Sequence, residues 1–187
     1  MKRLDPTAGR TFPLGMLFGF YGAMSAVSVG VAVGLQGRNP WLVPDSTPAP
    51  LWMQIGAGLA AGGAVVAASR WLDRNTGWSK RLTQNFRQTL GPLRRRDIAA
   101  IAFCSGVGEE LLFRGVLMPW IGIVGSSVVF GLVHVGPDRT WLPWTALAVA
   151  MGFGFAGLAK GTGTLTAAVV AHATINGVNL LLMQREG

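Results

Sequence analysis

Charge is scarce in this chain. Only 13% of its 187 residues are Asp, Glu, Lys or Arg, and 50% are hydrophobic; a soluble domain carries about 25% charged residues. The shortage excludes an ordinary water-facing surface. The single cysteine, Cys104, excludes an internal disulfide and the four-cysteine and Cys/His zinc modules. A small apolar thiol, not a nucleophile, is its expected role. No charged side chain lies between Arg10 and Arg38, Asp45 and Arg70, Arg114 and Asp138, Arg139 and Lys160, or Lys160 and Arg185. Each window is long enough for a helix of about 20 residues to cross a bilayer core.

The pattern that remains predicts an all-α fold, a polytopic transmembrane helical bundle of about six spans. The apolar run Phe12 to Leu35 exceeds the roughly 7–15 residues of a signal-peptide core and reads as a retained first span. A proline-rich loop, Asn39 to Pro50, leads to a second span, Leu51 to Leu72. Ile98 to Met118 forms the third. Pro119 and Gly122 mark a hairpin into a fourth ending near Val135, and the fifth and sixth cover Trp144 to Ala159 and Leu165 to Met183. Two parts follow: residues 1–97, with two spans and a basic amphipathic loop, and residues 98–187, a helical core holding the polar chemistry. Gly56, Ala60, Gly63 and Ala67 recur at three or four residues along the second span. They predict the face where a neighbouring helix comes close.

Half of the sixteen basic residues fall between Arg70 and Arg96. Beside transmembrane helices such a stretch is a cytoplasmic orientation signal and attracts anionic lipid headgroups rather than nucleic acid. Within it Trp78, Leu82, Phe86 and Leu90 repeat at four-residue spacing among Lys80, Arg81 and Arg87. That is the pattern of an interfacial amphipathic helix, although a solvated loop with a short helix fits as well. With Lys2, Arg3, Arg10 and Arg185 on the same side of six spans, both termini are expected in the cytoplasm.

Ionisable side chains inside a span are functional candidates. The candidates are Glu109, Glu110, Arg114, His134 and His172, and the chain has no other histidine. Glu110 and Arg114 are four residues apart and share a helix face; Glu109 is turned by about 100° from Glu110. His172 and Asn176 are also four apart, as are Phe130 and His134. Three helices could therefore direct a carboxylate, two imidazoles and an amide at one cavity. With an apex near Pro119, however, Glu109 and His134 would differ in depth by roughly 8 Å, so a tilt, a break at Gly131 or a displaced apex is needed.

The strings Glu109-Glu110-Leu111-Leu112-Phe113-Arg114, Phe130-Gly131-Leu132-Val133-His134 and His172-Ala173-Thr174-Ile175-Asn176 resemble the EExxxR, FxxxH and HxxxN motifs of the CAAX-protease and bacteriocin-processing (CPBP, or Abi) family. Order and internal spacing agree over roughly Ile98 to Met183. The resemblance implies hydrolysis of a peptide bond of a membrane-associated substrate. Glu109 would activate water as general base, His134 would hold that water, and His172 and Asn176 would stabilise the oxyanion. Glu110 and Arg114 would brace the third span, and Phe130 would pack beneath His134. No cofactor is expected. The alternative places zinc on Glu109, His134 and His172, a known type of catalytic set.

Other classes are a non-catalytic membrane immunity or adaptor protein, which loss of motif residues would favour, and a small transporter or proton channel, which would continue polar residues on both sides of the site. Substrates allowed by the resemblance are prenylated C-terminal peptides, bacteriocin precursors and C-terminal sorting signals. The compact chain is expected in a bacterial inner membrane.

Overall fold

The computed structural model describes residues 14–185. Phe12, where the first span was expected to begin, and the basic Lys2, Arg3 and Arg10 lie outside the described residues. Helix α1 covers Leu14–Gly34, α2 Leu51–Asn75, α3 Gly77–Leu90 and α4 Arg95–Glu110. The chain continues from α4 through a π-helical run, Leu111–Leu117, into α5, Met118–Leu132. A 3₁₀ turn, Arg139–Trp141, precedes α6, Leu142–Thr162, and α7 covers Thr166–Arg185. Among the described residues no strand occurs, and the isolated bridge Leu42 to Thr164 ties a loop to the start of α7. The fold is an all-α membrane bundle, with five stretches long and apolar enough to cross a bilayer.

The third of these stretches, Arg95–Leu132, contains both the third and the fourth expected spans. It folds back at Gly122, whose φ of 74° and ψ of 176° belong to a region that essentially only glycine occupies. The returning limb from Ile123 to Leu132 rises about 15 Å, half of a bilayer core of about 30 Å. Phe113 and Phe130, on the two limbs, meet at 4.9 Å between ring centroids. The apex is therefore displaced beyond Pro119. Glu109 lies thirteen residues before Gly122 and His134 twelve after. The depth difference shrinks to about one helical rise of 1.5 Å.

α7 runs antiparallel to α4 and parallel to α2 through the middle of the bundle. Close approach of α2 and α7 depends on Gly58 and Gly62. A Cβ at Gly58 would lie 2.6 Å from the Ala167 carbonyl oxygen, and one at Gly62 would lie 2.9 Å from Thr174 Cβ. The face expected from Gly56 and Gly63 is not the packed one, since a Cβ at either would meet nothing within 4 Å. Small residues surround much of α2, so their spacing allows several registers. Gln54 selects one: it is buried, donates to Ala49 O at 2.7 Å and accepts from Thr164. Gly58 and Gly62 follow it at four-residue intervals on the buried side.

The loop between α1 and α2 lies against the start of α7, with Val43 N donating to Gly163 O and Leu165 N donating to Trp41 O, both at 3.0 Å. It also closes the π-helical run: Gln36 Nε2 donates to Val116 O at 3.1 Å, and Arg38 donates to Gly115 O. Pro119 has no N–H to offer the Gly115 carbonyl four residues before it, and Arg38 supplies a donor there. Helix α3 lies at the other end of α7, where Leu93 N and Gly91 O bond the Gln184 side chain. The amphipathic reading of this segment agrees with a helix that buries Leu82 and sets Phe86 edge-on to Trp141 and Trp144. Lys80, Arg81, Arg94, Arg95 and Arg96 are exposed.

Candidate active site

The hairpin and α7 bring Glu109, Glu110, Arg114, Phe130, His134 and His172 together, with Asn176 one helical turn away. Glu109 and Glu110 end α4, where the π-helical run begins. Both are buried. Glu110 Oε1 accepts from Arg114 Nη1 at 3.1 Å and bonds His172 Nδ1 at 2.9 Å. Arg114 is 1% exposed. Its Nη2 donates to Gly152 O of α6 at 2.9 Å, and its guanidinium carbon sits 4.5 Å over the Phe130 ring. The ion pair expected from the four-residue spacing is present, and it reaches further than one helix: it ties the hairpin to α6 and α7.

The two histidines face Glu109 with the same ring nitrogen. His134 Nε2 lies 3.7 Å from Glu109 Oε2, and His172 Nε2 lies 3.8 Å from it. Those lengths exceed a direct hydrogen bond, for which 2.7–3.2 Å is usual. Oε2 is buried and has no hydrogen-bond partner among the described residues. Each ring is held from behind. His134 Nδ1 is 2.6 Å from Phe130 O, which can only accept, so this nitrogen carries a proton. His172 Nδ1 is anchored on Glu110, and its ring stacks on Phe155 at 4.8 Å with 8° between planes. Phe130 packs against His134 at 4.6 Å, as expected.

Asn176 Nδ2 donates to Ser105 Oγ at 3.0 Å. Ser105 is four residues before Glu109, as Asn176 is four after His172. The antiparallel pair α4 and α7 thus carries two polar rungs one helical turn apart, Ser105 with Asn176 and Glu109 with His172. Ser105 was legible from its spacing to Glu109 and was missed. Tyr21, on α1, was missed too: its hydroxyl donates to Glu109 Oε1 at 3.0 Å across a separation of 88 residues. No spacing rule links such distant positions. Cys104 is half-buried and unpaired. No group of three or more His, Cys, Asp or Glu among the described residues is arranged to hold a metal ion.

Fold and site together define a polytopic helical membrane protein that buries a glutamate flanked by two histidines. Residues 95–178 match the family described as type II CAAX prenyl endopeptidase Rce1-like. The matched segment runs from α4 to most of α7, under half of the chain, and it contains every motif residue from Glu109 to Asn176. The description of that family is of a peptide hydrolase. No curated protein and no solved structure gives a match to the chain.

Proposed function

We propose that the protein is an intramembrane endopeptidase in which Glu109 is the general base. The observation that carries this reading is Glu109 Oε2, buried without a hydrogen-bond partner among the described residues and flanked at 3.7 and 3.8 Å by two imidazole nitrogens. Polar groups at such separations are suited to a bridging water. His134, with its proton on Nδ1, presents a lone pair at Nε2 and accepts one O–H of that water. The other O–H points to Oε2. Glu109 takes this proton as the water oxygen attacks the scissile carbonyl carbon. The tetrahedral oxyanion accepts from the second Nδ2 hydrogen of Asn176 and from Nε2 of doubly protonated His172, whose Nδ1 donates to Glu110. Removing one such donor typically costs about 10²–10³-fold in kcat. Collapse breaks the C–N bond, and the leaving amine takes the proton back from Glu109.

The substrate is a membrane-anchored or lipid-anchored peptide, because the site lies among helices long and apolar enough to cross a bilayer. The exposed basic side chains beside α3 hold that end of the bundle to anionic headgroups. On this reading α3 and both termini face the cytoplasm, as in a bacterial inner membrane.

A zinc-dependent version has one observation in its favour. Both rings are anchored through Nδ1, as outer-shell bonds anchor zinc-binding histidines, but Glu109, His134 and His172 are not themselves arranged as a metal site. One preparation separates the two. In the metal-free mechanism, Glu109→Gln abolishes cleavage of a reconstituted membrane peptide, with wild-type folding and binding, and the wild-type enzyme keeps its activity in strong chelators. Turnover by Glu109→Gln removes the base assignment. One zinc per chain together with chelator sensitivity moves both histidines to metal ligation.

A further inference from the structure

Tyr21 lies on α1, outside the segment that matches the family. It is the chain's only tyrosine. Helices α1 and α4 run side by side and meet closely at Gly108, the residue before Glu109. A Cβ there would sit 3.1 Å from Met24 Cε, 3.3 Å from Ser25 Oγ and 3.3 Å from the Tyr21 carbonyl oxygen. The missing side chain lets α1 come near enough for the Tyr21 hydroxyl to reach Glu109 Oε1 at 3.0 Å. The neighbouring hydroxyl does not compete. Ser25 Oγ turns back to the Tyr21 carbonyl at 2.8 Å, within its own helix.

The consequence is an asymmetric carboxylate. Oε1 is occupied by a phenol donor, and Oε2 alone is presented to His134 and His172. We propose that Tyr21 is a positioning residue of the active site: by holding Oε1 it fixes the plane of the Glu109 carboxylate and assigns proton abstraction to Oε2. Helix α1 is then part of the catalytic apparatus and not only an anchor. The inference rests on the reading of Glu109 as base.

A rival account has the phenol merely finding an acceptor for its hydroxyl in an apolar span. The two differ in what removal of one oxygen does. Tyr21→Phe keeps the ring and its edge contact with Phe20, at 5.4 Å between centroids, and deletes the donor. Purified full-length protein in lipid nanodiscs, acting on a fluorogenic membrane peptide, provides the assay. For a positioning role, kcat falls about 10–100-fold, the scale on which removing an outer-shell orienting partner lowers activity at metal sites. KM stays within about twofold, because the carboxylate acts in the transition state rather than in binding. The melting temperature falls only modestly, as for the loss of one buried hydrogen bond, so kcat is compared per folded molecule. The infrared carboxylate band identified by its loss in Glu109→Gln shifts in Tyr21→Phe. The double variant is no slower than Glu109→Gln alone, since residues acting as a unit are not additive.

Wild-type kcat in Tyr21→Phe, with Glu109→Gln inactive, overturns the positioning role and leaves the base intact. A lowered melting temperature with unchanged kcat per folded molecule does the same and makes Tyr21 a packing residue. Activity in Glu109→Gln overturns the base assignment, and the inference falls with it.

Discussion

Glu110 Oε1 and His172 Nδ1 are joined at 2.9 Å. Arg114 Nη1 reaches the same oxygen at 3.1 Å, so one buried carboxylate atom serves both a charge partner and a ring that faces the site. The four-residue spacing of Glu110 and Arg114 pointed to a brace within one span. The structure adds that the brace sets the angle of an imidazole on α7. Glu109 and Glu110 point to different faces of their helix, yet both arrive at His172, one at each ring nitrogen.

Arg114→Ala and Glu110→Gln therefore differ in kind. Arg114→Ala leaves a buried carboxylate without its cation, which typically costs about 3–5 kcal/mol. Its main expected effect is a fall in folded yield and melting temperature. Glu110→Gln leaves Arg114 unpaired and also weakens the hold on His172, so kcat per folded molecule falls as well. Equal kcat for wild type and Glu110→Gln, measured on folded material, would separate His172 from the brace.

The α2–α7 contact makes a sharper test, because neighbouring glycines differ completely. Gly58→Ala drives a methyl to 2.6 Å from the Ala167 carbonyl oxygen, and backbone cannot swing aside as a side chain can. Overpacking of this kind typically costs about 1–3 kcal/mol. Gly56→Ala meets nothing within 4 Å and is expected to leave the melting temperature unchanged. Identical melting temperatures for the two variants would contradict the observed register.

Much of this arrangement was legible before the fold was known, and the gaps have definite causes. Charge-free windows located the spans because burying charge in a bilayer is costly. Pairs four residues apart located Glu110 with Arg114 and His172 with Asn176 because helix geometry is local. The register of α2 was not legible. It depends on where Gln54 finds partners at Ala49 and Thr164, a tertiary fact. Tyr21 was hidden for the same reason. The hairpin apex was placed near Pro119 because proline and glycine both punctuate helices, whereas Pro119 starts α5 without ending the run and Gly122 makes the turn.

Sidedness follows from the ends of α7. The loop bearing Asp45 packs at its start and the segment after α3 at its end, so the two loops belong on opposite faces of the membrane. On the proposed orientation the basic stretch faces the cytoplasm. In a Cys104→Ala background, Asp45→Cys is expected to react with an impermeant thiol reagent from outside, and Lys80→Cys only after the membrane is opened. Labelling of both from one side would remove this topology.

The strongest constraint on the site is the turn at Gly122. Its φ of 74° and ψ of 176° suit glycine, and a residue with a side chain held there pays about 1–3 kcal/mol in backbone strain. A Cβ at Gly122 meets nothing within 4 Å, so any effect of Gly122→Ala arises from backbone conformation and not from crowding. The chain can relieve the strain by straightening Ile121 to Ile123 toward a continuous helix. Straightening moves Phe130 off Phe113 and carries His134 away from Glu109, because both pairs bridge the two limbs at nearly equal distances from the turn. Gly122→Ala is therefore expected to lower both melting temperature and kcat, although it touches no site residue. Gly161→Ala supplies the control. It also meets nothing within 4 Å, but it lies within α6 and has no positive φ, so neither quantity should fall. Wild-type turnover and stability in Gly122→Ala would show that the hairpin does not depend on this turn, and the alignment of Glu109 with His134 would need another cause.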